Sequence, residues 1–450
     1  MLAFRIVLIG LLIGFEVDNS SLAENDSALI LTPLIEGGRI EEARRRADVH
    51  LNGFRLFNVT SYSGFFTVNT EFNSNLFFWY LEAAENKTTA PVMVYTSGWN
   101  ASSLFGLFNL NGHASIEGFR AHRRHHSFHK FCHMVYLDHA VGRGFSFTED
   151  DRGYRTDQEG IAEDMFSAVV QFFRLFPELK GNGLYLGGAS YGGKAALSLA
   201  HRIHNSNESG LLKGVFLSAP FIDPVGQMGY GDFLTSVGLL GRVSRRLFDR
   251  EESAIRQLVS AGNYTESGKR IGRMIFGRES TLAQATGFVL STNYVYDRPY
   301  DMDWEGWMEV DDVRAMLHVG ARRLSDGEMA SARLAADIAR SVTPTLEQLL
   351  AAGYRVLMTG GQLDLVCNHP ALVRLLEALQ WPGKRGFADA RRKTLMDGAL
   401  PGAYLTAYHN LAYVLFLASD HSPEIRNPDS VYAIVRNFLR GVPVEEWSLK

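Results

Sequence analysis

The segment Gly188-Ala189-Ser190-Tyr191-Gly192 sets a serine between two glycines, each two residues away. A serine hydroxyl is a weak nucleophile until a base takes its proton and a further group orients that base. The apolar run 184–187 ahead of it reads as a buried strand, and 192–203 behind it as a helix. Such a sharp strand-to-helix turn strains the serine backbone, exposes its Oγ and places it near a helix N-terminus, which favours developing negative charge. In that geometry an acid and a base follow in the order Ser, Asp, His. Asp364 lies just past the apolar run 354–359, and His421 just past 413–417. Both are loop positions after strands, at the carboxyl edge where open α/β sheets bind ligands. An oxyanion would need two backbone N–H donors. Tyr191, directly after the serine, and Gly98, in the loop after 90–95, are the candidates.

The elements that must position these residues are legible as an alternation. Runs 90–95, 133–137, 184–187, 214–217, 354–359 and 413–417 are short and apolar, as strands buried on both faces are. An aromatic-rich pair, 61–68 and 75–83, reads as two further strands. Helical spacing covers 160–176, stopped by Pro177, and then 192–203, 369–379 and 429–439. The fold class is therefore α/β with a mostly parallel central sheet flanked by helices. Residues 221–317 break the alternation and read as a helical cap insertion. It divides the core into a first part, 24–220, and a second part, 318–450.

The chain has 450 residues, 46% hydrophobic and 21% charged, with a formal charge of −4. That is globular composition, and no basic excess exists to neutralise nucleic-acid phosphates. Residues 1–23 carry a positive charge, an apolar run over 6–15 and small residues before Glu24, the three parts of a secretory signal peptide. The run is too short to span a bilayer, so no stable membrane insertion is expected. Asn19, Asn25, Asn58, Asn86, Asn100, Asn207 and Asn263 each begin an N-x-[ST] sequon. The expected location is the secretory pathway, either secreted or lysosomal. With only Cys132 and Cys367, at most one disulfide forms within the chain. His122, His125, His126, His129 and His133 cluster without a cysteine or carboxylate to complete a metal site, and read as a solvated basic loop. No metal and no cofactor is expected.

Several segments run in the order found in the serine carboxypeptidases, and the sequence resembles the vitellogenic-like branch of that family. They are SLFGLF at 103–108, LDHAVGRGFSF at 137–147, QFFRLFP at 171–177, GGASYGGK at 187–194, VRAMLHV at 313–319 and GQLDLVCN at 361–368. The resemblance implies an α/β-hydrolase fold with a helical insertion, a triad of Ser190, Asp364 and His421, and an oxyanion hole of Gly98 and Tyr191. It implies a hydrolase that removes C-terminal residues from peptides through an acyl-enzyme on Ser190. The expected partner is a peptide or a small acyl substrate, with a homodimer as a further state of assembly.

Departures from the family pattern bear on substrate binding. The family holds a substrate's terminal carboxylate in a clamp of one asparagine and two protonated glutamates, and so favours acidic pH. Their positions here are Thr96, Leu110 and Ala189. Charge-assisted hydrogen bonds contribute about 1.5–3 kcal/mol each. Losing two or three weakens binding of a peptide terminus by roughly two to four orders of magnitude unless other groups replace them. The family's Pro and Thr in the P-V-G-T-G turn are Ala140 and Arg143, and its Gly before the histidine is Asp420, whose charge would raise the pKa of His421. These losses leave an esterase or acyltransferase of altered specificity, or a catalytically impaired binding or storage protein, as alternative readings.

Overall fold

The computed structural model describes residues 27–50, 55–98, 102–296 and 298–450. The expected signal peptide, Asn19, Asn25, Trp99 and Asn100 lie outside the described residues.

The strands, in chain order, are β1 (Ser61–Asn69), β2 (Ser74–Leu81), β3 (Val92–Thr96), β4 (Ala114–Glu117), β5 (Arg120–Arg123), β6 (His133–Leu137), β7 (Leu184–Ala189), β8 (Leu212–Ser218), β9 (Arg355–Gly361), β10 (Lys393–Asp397), β11 (Leu400–Tyr408) and β12 (Leu411–Phe416). Ten of them form one sheet in the order β1-β2-β6-β3-β7-β8-β9-β12-β11-β10, while β4 and β5 pair separately. The six central strands, β6 to β12 in that order, run parallel. Antiparallel pairs flank them at both edges.

The centre of the sheet is apolar because both of its faces are covered. β3, β6 and β12 are buried along their whole length. One face packs a core that includes Val94, Leu186, Val215 and Met358 with Met165 and Phe172 from the helix Gln158–Leu175. The opposite face packs Met93, Tyr95, Phe216 and Leu357 with Ile434 and Phe438 from the helix Pro428–Leu439. The alternation of neighbouring residues between the two cores is the period of a pleated strand. Helix ends follow local chemistry. Asp157 Oδ1 accepts from Gly160 N–H at 2.9 Å and caps Gln158–Leu175. Asn368 Oδ1 accepts from Ala371 N–H at 3.0 Å and caps His369–Ala378.

Between β8 and β9 the described residues form helices and turns without a strand, from Tyr230–Ser236 to Thr343–Ala351. The last of these helices packs on Gly192–His204, the helix that follows β7. Four strands, β4, β5, β10 and β11, are absent from the reading of the sequence. The histidine cluster disperses. His122 lies exposed in β5, whereas His129 and His133 are buried and bonded to Ser127 and Tyr80. The expected solvated loop therefore holds only for part of the cluster.

Candidate active site

β7 ends at Ala189, and the helix Gly192–His204 begins after two intervening residues. Ser190 sits in that turn with φ of 53°, a conformation that costs a non-glycine residue energy. Both flanking glycines are required by close backbone approach. A β-carbon on Gly188 would lie 2.4 Å from the Gly192 carbonyl oxygen, and one on Gly192 would lie 2.3 Å from that of Ser97. The strained serine is held by its own backbone. Its N–H donates to Ser218 O at 2.9 Å, and its carbonyl accepts from Gly193 and Phe221 N–H, both at 3.0 Å.

The structure brings the other two expected residues together. His421 Nδ1 donates to Asp364 Oδ2 at 2.8 Å. Asp364 is fully buried, and its second oxygen accepts from the N–H groups of Val366 at 2.8 Å and Cys367 at 3.1 Å. Burial alone pushes His421 toward its neutral form. The Asp364 charge and hydrogen bond outweigh it, with smaller contributions from Asp420 and Glu424, and the imidazole pKa is raised. The Asp420 charge is itself shared, because Arg426 Nε donates to it at 2.6 Å. Among the described residues no hydrogen bond joins Ser190 Oγ to His421. In ligand-free sites such bonds are often long and tighten on substrate binding.

Gly98 lies against the serine, since a β-carbon there would meet Ser190 Cβ at 3.5 Å and Oγ at 3.9 Å. Its loop is anchored by residues whose role the sequence did not reveal. Asp138, at the end of β6, is fully buried and accepts from Ser102 Oγ at 2.7 Å, Ser103 N–H at 2.9 Å, Ser103 Oγ at 2.9 Å and Ser146 Oγ at 3.2 Å. Arg143, also fully buried, donates to the Gly98 carbonyl at 3.1 Å and to Ser331 Oγ at 3.5 Å. Beneath the turn, Tyr191 donates its phenol to Asp337 Oδ2 at 2.5 Å, and Lys194 Nζ donates to the backbone carbonyl of Asp337 at 2.7 Å. Burial pushes Lys194 down to about 8, opposed by the charges of Asp337 and Asp223. The sequence signals for Asp138 and Arg143 were their place in the segment 137–147 and the departure from the family pattern at Arg143, and neither carries a mark of this bonding.

The residues at the clamp positions are placed as follows. Thr96 is buried, and its hydroxyl is within 2.8 Å of His139 Nδ1. Leu110 is buried in the apolar core, and Ala189 is partly exposed. The helical segment between β8 and β9 reaches the site. Thr292 O accepts from His421 N–H at 3.0 Å, and Leu363 O from Tyr294 N–H at 3.0 Å. Cys132 and Cys367 are separate, buried thiols. Among the described residues one group has ligand atoms within 4.8 Å of one another, Asp364, Cys367 and His421. Its chemistry fits a metal poorly, because Asp364 and His421 are bonded to each other and burial pushes the Cys367 thiol well up.

The comparisons with known proteins bear on the family and the fold. The family model described as serine carboxypeptidase matches residues 53–441. Venom serine carboxypeptidase of Apis mellifera is 34% identical over 433 residues, 93% of this chain and 92% of the relative. Vitellogenic carboxypeptidase of Aedes aegypti is 35% identical over 92% of this chain and 90% of its own. The human probable serine carboxypeptidase CPVL is 30% identical over 93% of this chain and 90% of its own. Among solved structures, a prohormone-processing carboxypeptidase from Saccharomyces cerevisiae superposes with a TM-score of 0.73. That match covers 87% of this chain and 93% of the other at 17% identity, a likeness of fold.

Proposed function

The chain belongs to the serine carboxypeptidase family, and on that footing we propose that it hydrolyses peptides from the C-terminus through an acyl-enzyme on Ser190. The observation that carries this reading is the 2.8 Å bond between His421 Nδ1 and Asp364 Oδ2, on loops after parallel strands, with a strained Ser190 turn beside Gly98. Ser190 Oγ attacks the scissile carbonyl carbon and passes its proton to His421 Nε2. The C=O electron pair moves to the oxygen, which the N–H groups of Gly98 and Tyr191 hold as an oxyanion. When that pair returns, the C–N bond breaks, and His421 gives its proton to the leaving amine. Water then repeats the sequence on the ester and releases Ser190. Asp364 fixes the imidazole orientation and stabilises its charged form. This chemistry calls for no metal or organic cofactor.

Residues 221–317 would act as the cap, a role supported by the bonds from Thr292 and Tyr294 to the two catalytic loops. Passage through the secretory pathway is supported by Asn58, Asn86, Asn207 and Asn263, all exposed and open to glycosylation. The names of the venom and vitellogenic relatives fit that route.

A second reading is favoured by the apolar Leu110 and Ala189 and by the engagement of Thr96 with His139, which leave the clamp weakened. An enzyme so changed would process simple esters better than peptides. Kinetics on N-blocked dipeptides and on the matching N-blocked amino-acid esters separate the two. The proposal predicts turnover of both by wild type and a loss of about 10⁴-fold or more in Ser190→Ala. Ester turnover alone supports the second reading. Biological activity that survives intact in Ser190→Ala would point instead to a binding or storage role.

A further inference from the structure

Directly before His421, where the family pattern has glycine, this chain places Asp420, and the residue is fully buried. Burying a carboxylate is costly unless it is paired and hydrogen-bonded, a cost that glycine would avoid. Arg426, Ser422 and Tyr300 supply the partners. Asp420 Oδ2 accepts from Arg426 Nε at 2.6 Å. Its Oδ1 accepts from Ser422 N–H at 2.9 Å and, over a longer 3.4 Å, from the Tyr300 hydroxyl. The bond to Asp420 raises the Arg426 pKa further, so the guanidinium stays charged.

These partners come from different elements. Arg426 ends the short turn of helix Pro423–Arg426, and Tyr300 belongs to the helical segment between β8 and β9. The Tyr300 phenol also engages the side chains of Ser422 and Thr292, so it reaches the residues on both sides of His421. Burial, and after it the Asp420 charge, pushes this phenol up, and it keeps its proton to donate. The Tyr300 ring lies 5.8 Å from that of Phe105, in the loop after β3. Through the backbone, His421 N–H donates to Thr292 O at 3.0 Å. On the side of the sheet the histidine loop has no slack. Ser419 O accepts from Leu363 N–H at 2.7 Å, and a β-carbon on Gly361 would lie 1.9 Å from the Asp420 carbonyl oxygen.

A base that must take the Ser190 proton loses rate steeply when displaced by about 1 Å, so what holds its loop matters to the reaction. The charged and titratable groups that face His421 are Asp364 from the loop after β9, and Asp420 and Glu424 from its own loop. Those that face Asp420 are His421, Glu424, Arg426 and Tyr300, and Tyr296 lies near Arg426. The two ends of the Asp420–Arg426 pair act on the imidazole with opposite sign. The carboxylate favours its charged form, and the guanidinium offsets that.

We propose that Asp420 is a positioning residue: with Arg426 and Tyr300 it buckles the histidine loop to the helical segment between β8 and β9, and so fixes where the imidazole of His421 stands. This rests on the reading of His421 as the base that serves Ser190. Asp420 acts through His421, and its effect is the same for any acyl substrate.

The test compares wild type, Asp420→Ala, Asp420→Asn and Arg426→Met on an N-blocked amino-acid ester, with kcat, KM and the pH profile measured beside a melting curve. Asp420→Ala should lower kcat by roughly 10- to 100-fold with little change in KM. Asp420→Asn keeps an acceptor for Ser422 and Tyr300, so it should recover most of that kcat. Its rising limb of kcat/KM should move to lower pH, because the carboxylate charge is gone. Arg426→Met leaves that charge unshared, and its limb should move to higher pH. The Arg426 side chain is 30% exposed, so this arm does not depend on replacing a buried residue. Lower Tm in all three variants, with kcat per folded molecule and both limbs unchanged, overturns the proposal, and the pair then serves stability alone. In parallel, ¹H NMR of Ser190→Ala follows the proton between His421 Nδ1 and Asp364 with no need for turnover. Asp420→Ala in that background should lose this resonance to exchange with water. A resonance equal to that of Ser190→Ala alone likewise overturns the proposal. Absence of turnover in wild type, with the resonance still dependent on Asp420, contradicts the peptidase reading and leaves the buckle standing.

Discussion

His421 stands between two opposed influences. Its burial disfavours a charge, while Asp364 at 2.8 Å favours one and wins. The base that Ser190 needs is the neutral form, so acylation should rise with pH through an apparent pKa above the ordinary 6.5. A kcat/KM profile on a substrate without a free carboxylate, an N-blocked ester, reads this directly. Asp364→Asn should move that limb down and lower kcat by about 10⁴-fold, because the amide no longer fixes the imidazole. The same pair bears on stability. A raised imidazole pKa means that the stabilising contribution is complete below 6.5 and fades as pH rises through the folded-state value. Ser190, Asp364 and His421 were readable from the sequence because each follows a recognisable strand.

At the scale of elements, the described residues at the two ends of the loop after β3 are held from below. Asp138 collects four donors, from Ser102, Ser103 and Ser146, and Arg143 holds the Gly98 carbonyl. Arg143→Met should therefore lower kcat by about 10- to 100-fold on peptides and esters alike, with a smaller effect on KM, because an oxyanion donor is displaced. Steady-state kinetics beside a melting curve checks this, since a purely structural role would lower Tm and leave kcat per folded molecule unchanged. Gly192→Ala should destabilise outright, its β-carbon meeting the Ser97 carbonyl at 2.3 Å. Thermal unfolding measures that loss. The six central strands were legible because continuous apolar runs mark strands covered on both faces. β10, at the edge of the sheet, and β11 beside it were not, because they mix exposed residues such as Leu400 and Met396 with buried Leu395 and Leu405. The anchoring roles of Asp138 and Arg143 depend on contacts up to 188 residues away, which spacing does not encode.

The whole molecule draws its stability from two cores on either side of the ten-stranded sheet. Cys132 and Cys367 are buried and unlinked, and burial pushes both thiols well up. A thiol reagent should leave the native protein unmodified and its activity intact, and titrate two thiols per chain in denaturant, as a colorimetric assay would record. The exposed sequons Asn58, Asn86, Asn207 and Asn263 predict that enzymatic deglycosylation lowers the mass of protein made in a secretory host. Asn→Gln changes at these sites should remove the shift stepwise. An unchanged mass would contradict the secretory assignment. Every larger feature, from sheet order to helical segment, serves to bring one hydroxyl under the control of one imidazole. Active-site labelling with a fluorophosphonate probe tests that control most directly. The account predicts one label per molecule on Ser190, with a rate that rises as His421 loses its proton and falls to background in His421→Ala. Labelling that is absent, or that proceeds undiminished without His421, would contradict it.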